Sequence, residues 1–101
     1  MIIEIKEYIL KHGESLSEAG VDGYGLTKES IISLMNSDLV EGTVVLGGDV
    51  YELNNGKPCL SFDNWYFDPT GSPSDSEESI AKALEYVTRY RKDGVLFSLT
   101  L

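Results

Sequence analysis

TVVLGGDVYELNNGKPCLSFDNWYF, residues Thr43–Phe67, is the stretch that decides the fold. Thr43–Leu46 and Val50–Leu53 are short runs rich in β-branched and apolar residues, the composition of strands. Asn54-Asn55-Gly56 follows them, and Asn-Gly between two such runs is a strong signal for a tight hairpin. Pro58 stands near the start of the return strand, where a missing N–H is tolerated. Leu60, Phe62 and Asn64 then alternate with Ser61, Asp63 and Trp65 as far as Phe67, so successive side chains are expected on opposite faces. Gly47-Gly48-Asp49 interrupts the first arm, and two glycines there permit a turn, a bulge or close approach of another backbone.

Working outward, the flanks change period. On the C-terminal side, Asp68–Asp75 holds two prolines, a glycine and small polar residues and reads as an exposed loop. Ser74 with Glu77 three residues on is a capping-box pattern, and Ile80, Ala83, Leu84 and Val87 place an apolar stripe on the helix that follows, expected over Ser76–Lys92. Glu78 with Lys82 and Glu85 with Arg89 are acid-before-base pairs four apart on its exposed side. Val95, Phe97, Leu99 and Leu101 alternate with Leu96, Ser98 and Thr100, the pattern of a half-buried final strand. On the N-terminal side, Ile2, Ile5 and Ile9 give a short amphipathic helix over Ile2–His12, with Gly13 where it stops. Four of the ten glycines fall between Gly13 and Leu26, which reads as loop. Thr27 offers an N-cap to a second helix carrying Ile31, Ile32, Leu34 and Met35 and ending near Asp38. The expectation is one α+β domain over residues 1–101. It has two N-terminal helices, a hairpin-centred, mostly antiparallel sheet of about four strands, and one long helix before the C-terminal strand.

The bulk properties narrow the functional classes. Seventeen acidic residues against eight basic ones give a formal charge of −9. A phosphate-backbone binder or an anionic-lipid binder needs clustered Lys and Arg, so nucleic acid and membrane are disfavoured and a basic protein partner suits better. The same excess of carboxylates also serves plain solubility, and charge alone does not separate the two. Cys59 is the single cysteine, so neither an internal disulfide nor a thiolate cluster is available. Inside a strand-like run, it is expected to be a small buried hydrophobe rather than a nucleophile. The chain opens without a basic, then apolar, then cleavable leader, and no apolar run approaches a membrane span, which leads us to expect a reducing, cytoplasmic setting.

Enzyme templates fit poorly. The one acidic loop of calcium-site length, Asp68–Ser79, has Pro73 at the turn position and Ser79 where the bidentate Glu belongs. His12 is the only histidine, which excludes two-histidine metal sites. Gly47-Gly48-Asp49 lacks the remaining residues of a phosphate loop. No cofactor or metal is expected. Asp63-Asn64-Trp65-Tyr66-Phe67-Asp68 is the most unusual segment, because three consecutive aromatics in a strand must put a ring on each face. With Trp65 and Phe67 on one face, Tyr66 shares the other with Asn64 and Asp68. A tryptophan in a small domain is more commonly core, and Tyr66 is then the surface ring, of a type enriched among binding hot spots.

Leu46-Gly47-Gly48-Asp49-Val50-Tyr51, followed after the hairpin by Asp63-Asn64-Trp65-Tyr66, resembles the bacterial immunity protein 40 family. Ser15-Leu16 with Gly20, and the late helix bearing Ser79, Ala83 and Tyr86, extend the likeness along nearly the whole chain. The resemblance implies a small α+β antidote of a polymorphic toxin system, made beside a toxin and binding it without chemistry of its own. A basic nuclease would suit the acidic charge. Under that reading Asp49, Asp63 and Asp68 supply carboxylates, Tyr51, Trp65 and Tyr66 aromatic anchors, and Glu77 and Glu78 long-range attraction. The same residues serve equally as a framework for the hairpin. Two other classes stay open at this point. One is a small enzyme or ligand-binding domain using Asp49, Asp63 and Tyr51 or Tyr66 around a cleft, and the other is a module that homodimerises through the last strand; monomer and weak homodimer are both compatible with the sequence.

Overall fold

The structure, a computed structural model, describes residues 2–101, with side chains from residue 3 onward. In chain order the elements are α1 (Ile2–His12), β1 (Glu14–Ser15), β2 (Tyr24–Gly25), α2 (Lys28–Met35), β3 (Gly47–Asn54), β4 (Lys57–Tyr66), α3 (Asp75–Arg89) and β5 (Val95–Thr100). The fold is α+β. Its main sheet has three antiparallel strands in the order β4-β3-β5, and β1 and β2 form a separate two-stranded piece.

The hairpin forms as its turn residues dictate. Asn55 (φ 54°) and Gly56 (φ 80°) both take positive φ, the requirement of the tight turn whose twist matches that of the strands, and Asn54 pairs with Lys57 across it. Its first arm departs from expectation, because β3 runs unbroken from Gly47 and Thr43–Leu46 is not a strand. Leu46 still bonds to Thr100 and Phe67 of the flanking segments, but two groups before it are taken up by serines of α3. Val45 N–H donates to Ser79 Oγ at 2.9 Å, and Ser76 Oγ donates to the Thr43 carbonyl at 2.7 Å. Gly47 and Gly48 therefore lie within the central strand rather than in a turn. A Cβ on Gly48 would sit 2.3 Å from the Ser98 carbonyl oxygen and 2.3 Å from the Trp65 ring, so close approach is what the position demands.

One face of the sheet is covered by helices. Val50, Trp65, Val95 and Phe97 pack with Ile5, Leu26, Ile31, Leu34, Met35, Val40, Val45, Ala83 and Val87 in the principal core. Tyr8 Oη donates to the Ser30 carbonyl at 2.9 Å and joins α1 to α2. The apolar face read for α1 includes Ile2, whose side chain lies outside the described ones. Thr27 caps α2 as expected, its Oγ1 accepting from Ser30 N–H at 3.2 Å. That helix ends earlier than Asp38, since Ser37 caps a separate 3-10 turn over Asp38–Val40. The Gly13–Leu26 segment, expected as loop, instead carries β1, a 3-10 turn (Ser17–Ala19) and β2. It folds over the opposite sheet face, where Leu16 packs with Tyr51 and Leu96 in a second, smaller cluster.

The start of α3 also corrects the sequence reading. Ser74 makes no side-chain cap bond; Asp75 is the buried group, and its carboxylate accepts from Thr70 N–H (3.1 Å), Gly71 N–H (2.9 Å) and Thr70 Oγ1 (3.1 Å). Burial pushes this carboxyl up, but the donors from Thr70, Gly71 and Ser72 outweigh it and hold the group below its ordinary value. At the other end α3 stops at Arg89, short of Lys92. Tyr90 is extended there, and its carbonyl accepts from Lys28 Nζ at 2.8 Å.

Cys59 is exposed, against expectation, because β4 is an edge strand and in its Lys57–Ser61 half only Pro58 is buried. The last strand, β5, is the other edge. Its Phe97 exchanges both backbone hydrogen bonds with Leu26 at 2.8 Å, which closes part of the edge that strand-to-strand dimerisation would need.

Candidate partner-binding surface

Strand β4 is where the alternation fails, and the failure builds the surface. Asp49 pairs with Asn64 and Tyr51 with Leu60, so Ser61, Phe62 and Asp63 all face the single residue Val50. This is a β-bulge. Ser61 Oγ donates to the Val50 carbonyl at 2.8 Å and accepts from Asp63 N–H at 3.1 Å, so a hydroxyl replaces part of the missing ladder. Phe62 sits at its middle with φ 70°, a conformation bulky residues rarely adopt, and 81% of its surface is exposed. Leu60 (42%) and Tyr66 (70%) are the other large hydrophobic residues β4 leaves in solvent.

The sequence-predicted residues fall into three places. Trp65 turns inward, 6% exposed, its ring stacked on Tyr86 with centroids 4.9 Å apart. Tyr66 turns outward, and Lys82 Nζ stands 5.4 Å from its ring centroid, a cation–π contact in place of the Glu78 pair. The second expected helix pair, Glu85 with Arg89, forms at 3.6 Å. Tyr51 is 4% exposed within the smaller cluster; burial and then the neighbouring Asp49 carboxylate raise its phenol. The Tyr51 and Trp65 rings, expected as anchors, are both buried in the isolated chain. Asp63 is exposed on the helix side, accepting from Tyr90 Oη at 2.8 Å. Burial first, and Asp63 second, raise the phenols of Tyr86 and Tyr90. Asp68 is exposed just beyond β4. Glu77 and Glu78 are exposed on the first turn of α3, where Glu77 borders a groove with Met35, Asp38, Pro73 and Leu84, apart from β4.

Alternation already puts Leu60 and Phe62 on the face of Tyr66, but it singles out neither as a partner-binding residue, and it does not foresee the bulge with its positive φ at Phe62. One trace existed in the sequence. Alternation puts Cys59, Ser61 and Asp63 on the same face as Trp65, an awkward mixture of polar groups with a core ring.

The pair of carboxylates on which an enzymatic reading rested is not assembled. Asp49 lies opposite Asn64 and beside Tyr51, whereas Asp63, the next residue after Phe62, bonds to Tyr90 on the helix side. A cleft of about 450 Å³ does lie between β4 and the C-terminal half of α3. It contains Asp63 but not Asp49, and Lys82, Arg89, Arg91 and Lys92, half of the chain's eight basic residues, line it. Among the described residues no group of three His, Cys, Asp or Glu side chains gathers as a metal site, and no helix is long and apolar enough to cross a membrane.

The class so defined is a small acidic α+β domain with solvent-exposed aromatics on an edge strand. A family model described as Immunity protein 40 matches residues 15–101, and the chain belongs to that family; its role is that of an immunity protein. No curated protein and no solved structure matches the chain. The matched range takes in the Leu46–Tyr51 and Asp63–Tyr66 segments and leaves α1 outside.

Proposed function

We propose that this protein binds a cognate bacterial toxin domain by direct contact in the cytoplasm and neutralises it, sparing the cell that makes both. Family membership over residues 15–101 is the observation that carries the reading. The charge supports it: at −9, the chain would be drawn to a basic partner, such as a nuclease, faster than an uncharged one, and complementary charges fix the orientation of docking. Inhibition needs no bond-making of its own. A bound domain that covers the toxin's active site or a neighbouring surface excludes substrate by occupancy. Asp49, Asp63, Asp68, Glu77 and Glu78 would contribute the attractive field, and Tyr66 an exposed ring of a type that anchors interfaces.

The test is to mix the purified protein with the toxin domain encoded beside its gene, and to co-express the two. A stoichiometric complex on gel filtration, together with restored growth of toxin-expressing cells, is expected. A mixture that elutes as two separate proteins, with no protection of cells, overturns the proposal.

A further inference from the structure

We propose that Phe62 is the anchor this protein inserts into its partner, and that the receiving site is an apolar pocket on a folded protein, bordered by Lys or Arg side chains. The inference rests on the toxin-binding reading above and names the contact through which it works.

The fold does not account for a phenylalanine at position 62. A left-handed backbone there costs a bulky residue about 1–2 kcal/mol, a cost that glycine escapes and asparagine largely escapes. The ring recovers little of that cost by burial, since it is 81% exposed. Any residue tolerant of positive φ would serve the bulge equally well. What Phe62 supplies is a large apolar group held away from the surface at a fixed place. The hydroxyl of Ser61, bonded to both Val50 and Asp63, fixes the bulge before any partner arrives, so less ordering is required on binding. Leu60 and Tyr66 extend the apolar contact to either side along the strand.

The carboxylates around Phe62 select the occupant. Asp63 adjoins it in the chain, Asp49 pairs with Asn64 two residues on, and Asp68 follows the end of the strand. A second copy would bring another −9, which sets the net balance against self-association and against an anionic lipid surface even with Lys82, Arg89, Arg91 and Lys92 lining the cleft beside Asp63. A protein pocket with an apolar floor and a basic rim satisfies both the ring and its border. Aromatic anchors in such pockets dominate binding energies, while the charged rim chiefly sets the rate of association.

The experiment measures binding of the purified neighbouring toxin domain by calorimetry, using wild type, Phe62→Asn, Phe62→Leu and, as a control exposed aromatic elsewhere, Tyr24→Ala. Thermal melts of each variant establish folding. Phe62→Asn is expected to weaken the complex at least about 30-fold and Phe62→Leu less, with Tyr24→Ala within about threefold. Asp63→Asn is expected to slow association at low salt more than it changes dissociation. A wild-type protein that does not bind sinks the toxin-binding reading itself. Binding by wild type with Phe62→Asn within about threefold of it overturns the anchor alone. Hydrogen exchange on the wild-type complex gives an answer that needs no variant: protection is expected across Leu60–Tyr66, and protection confined to α1 and α2 overturns the inference.

Discussion

Trp65 and Tyr66 are neighbours in β4, yet one is clamped between Gly48 and Tyr86 while the other stands in water with only Lys82 above it. The two sides of this strand are under different constraints. On the helix side the packing is close, so a side chain on Gly48 would collide with Trp65 and the Ser98 carbonyl, and Phe97 is wholly enclosed. Along the outer edge, Leu60, Phe62 and Tyr66 touch little, and their identities answer to something other than packing. The principal core lies on the helix side of the sheet, and the smaller cluster of Leu16, Tyr51 and Leu96 lies on the other face.

The contrast can be broken by substitutions on either side. The largest loss is expected from Phe97→Ala, about 3–5 kcal/mol in urea unfolding, because a fully buried ring leaves a cavity at the centre of the principal core. A loss below about 1 kcal/mol would show that the helix side is not close-packed. Gly48→Ala should cost about 1–3 kcal/mol, since the new methyl group must displace the Trp65 ring or the Ser98 carbonyl. Fluorescence-detected unfolding of that variant would check it, and wild-type stability would count against the close approach.

Asp75→Asn should weaken the fold less than Gly48→Ala, and in a pH-dependent way. The native carboxyl is held below its ordinary value of 3.8, so its contribution is fully present above about pH 4 and fades as the pH falls through the lower folded value. The gap in melting temperature between wild type and Asp75→Asn should therefore be widest near neutrality and close below pH 4; a gap that stays constant would contradict the assignment. The smallest effect belongs to the outer edge. Phe62→Asn should leave the isolated protein unchanged or stabilise it by up to about 1 kcal/mol, because asparagine tolerates positive φ. A loss above 1 kcal/mol would mean that Phe62 packs against something after all.

Much of this architecture was legible because local signals agreed. The stripe Ile80, Ala83, Leu84, Val87 gave α3, Thr27 gave the start of α2, and Asn55-Gly56 gave the hairpin. What was hidden depended on groups distant in sequence. Thr43–Leu46 has the composition of a strand, but the hydroxyls of Ser76 and Ser79, 33 and 34 residues away from their partners, bond the Thr43 carbonyl and the Val45 N–H, and sheet-type bonding begins only at Leu46. Ser74 with Glu77 mimics a capping box, whereas Asp75 can gather three donors from the preceding loop and does so. The candidate surface was half visible. Adjacent aromatics in a strand must part company, which assigned Tyr66 to solvent, and the same alternation puts Phe62 on its face; the positive φ of Phe62 and the bulge around it involve a side-chain hydroxyl bonding across to β3, and no periodicity encodes that.

Trp65 is the sole indole of the chain, and its Nε1 finds no acceptor among the protein atoms around it. Its emission should be blue-shifted in the native state and move to the red only when α3 lifts from the sheet. The molecule thus carries an optical gauge of its own assembly, placed on the side of β4 where a visitor to Phe62 would scarcely disturb the reading.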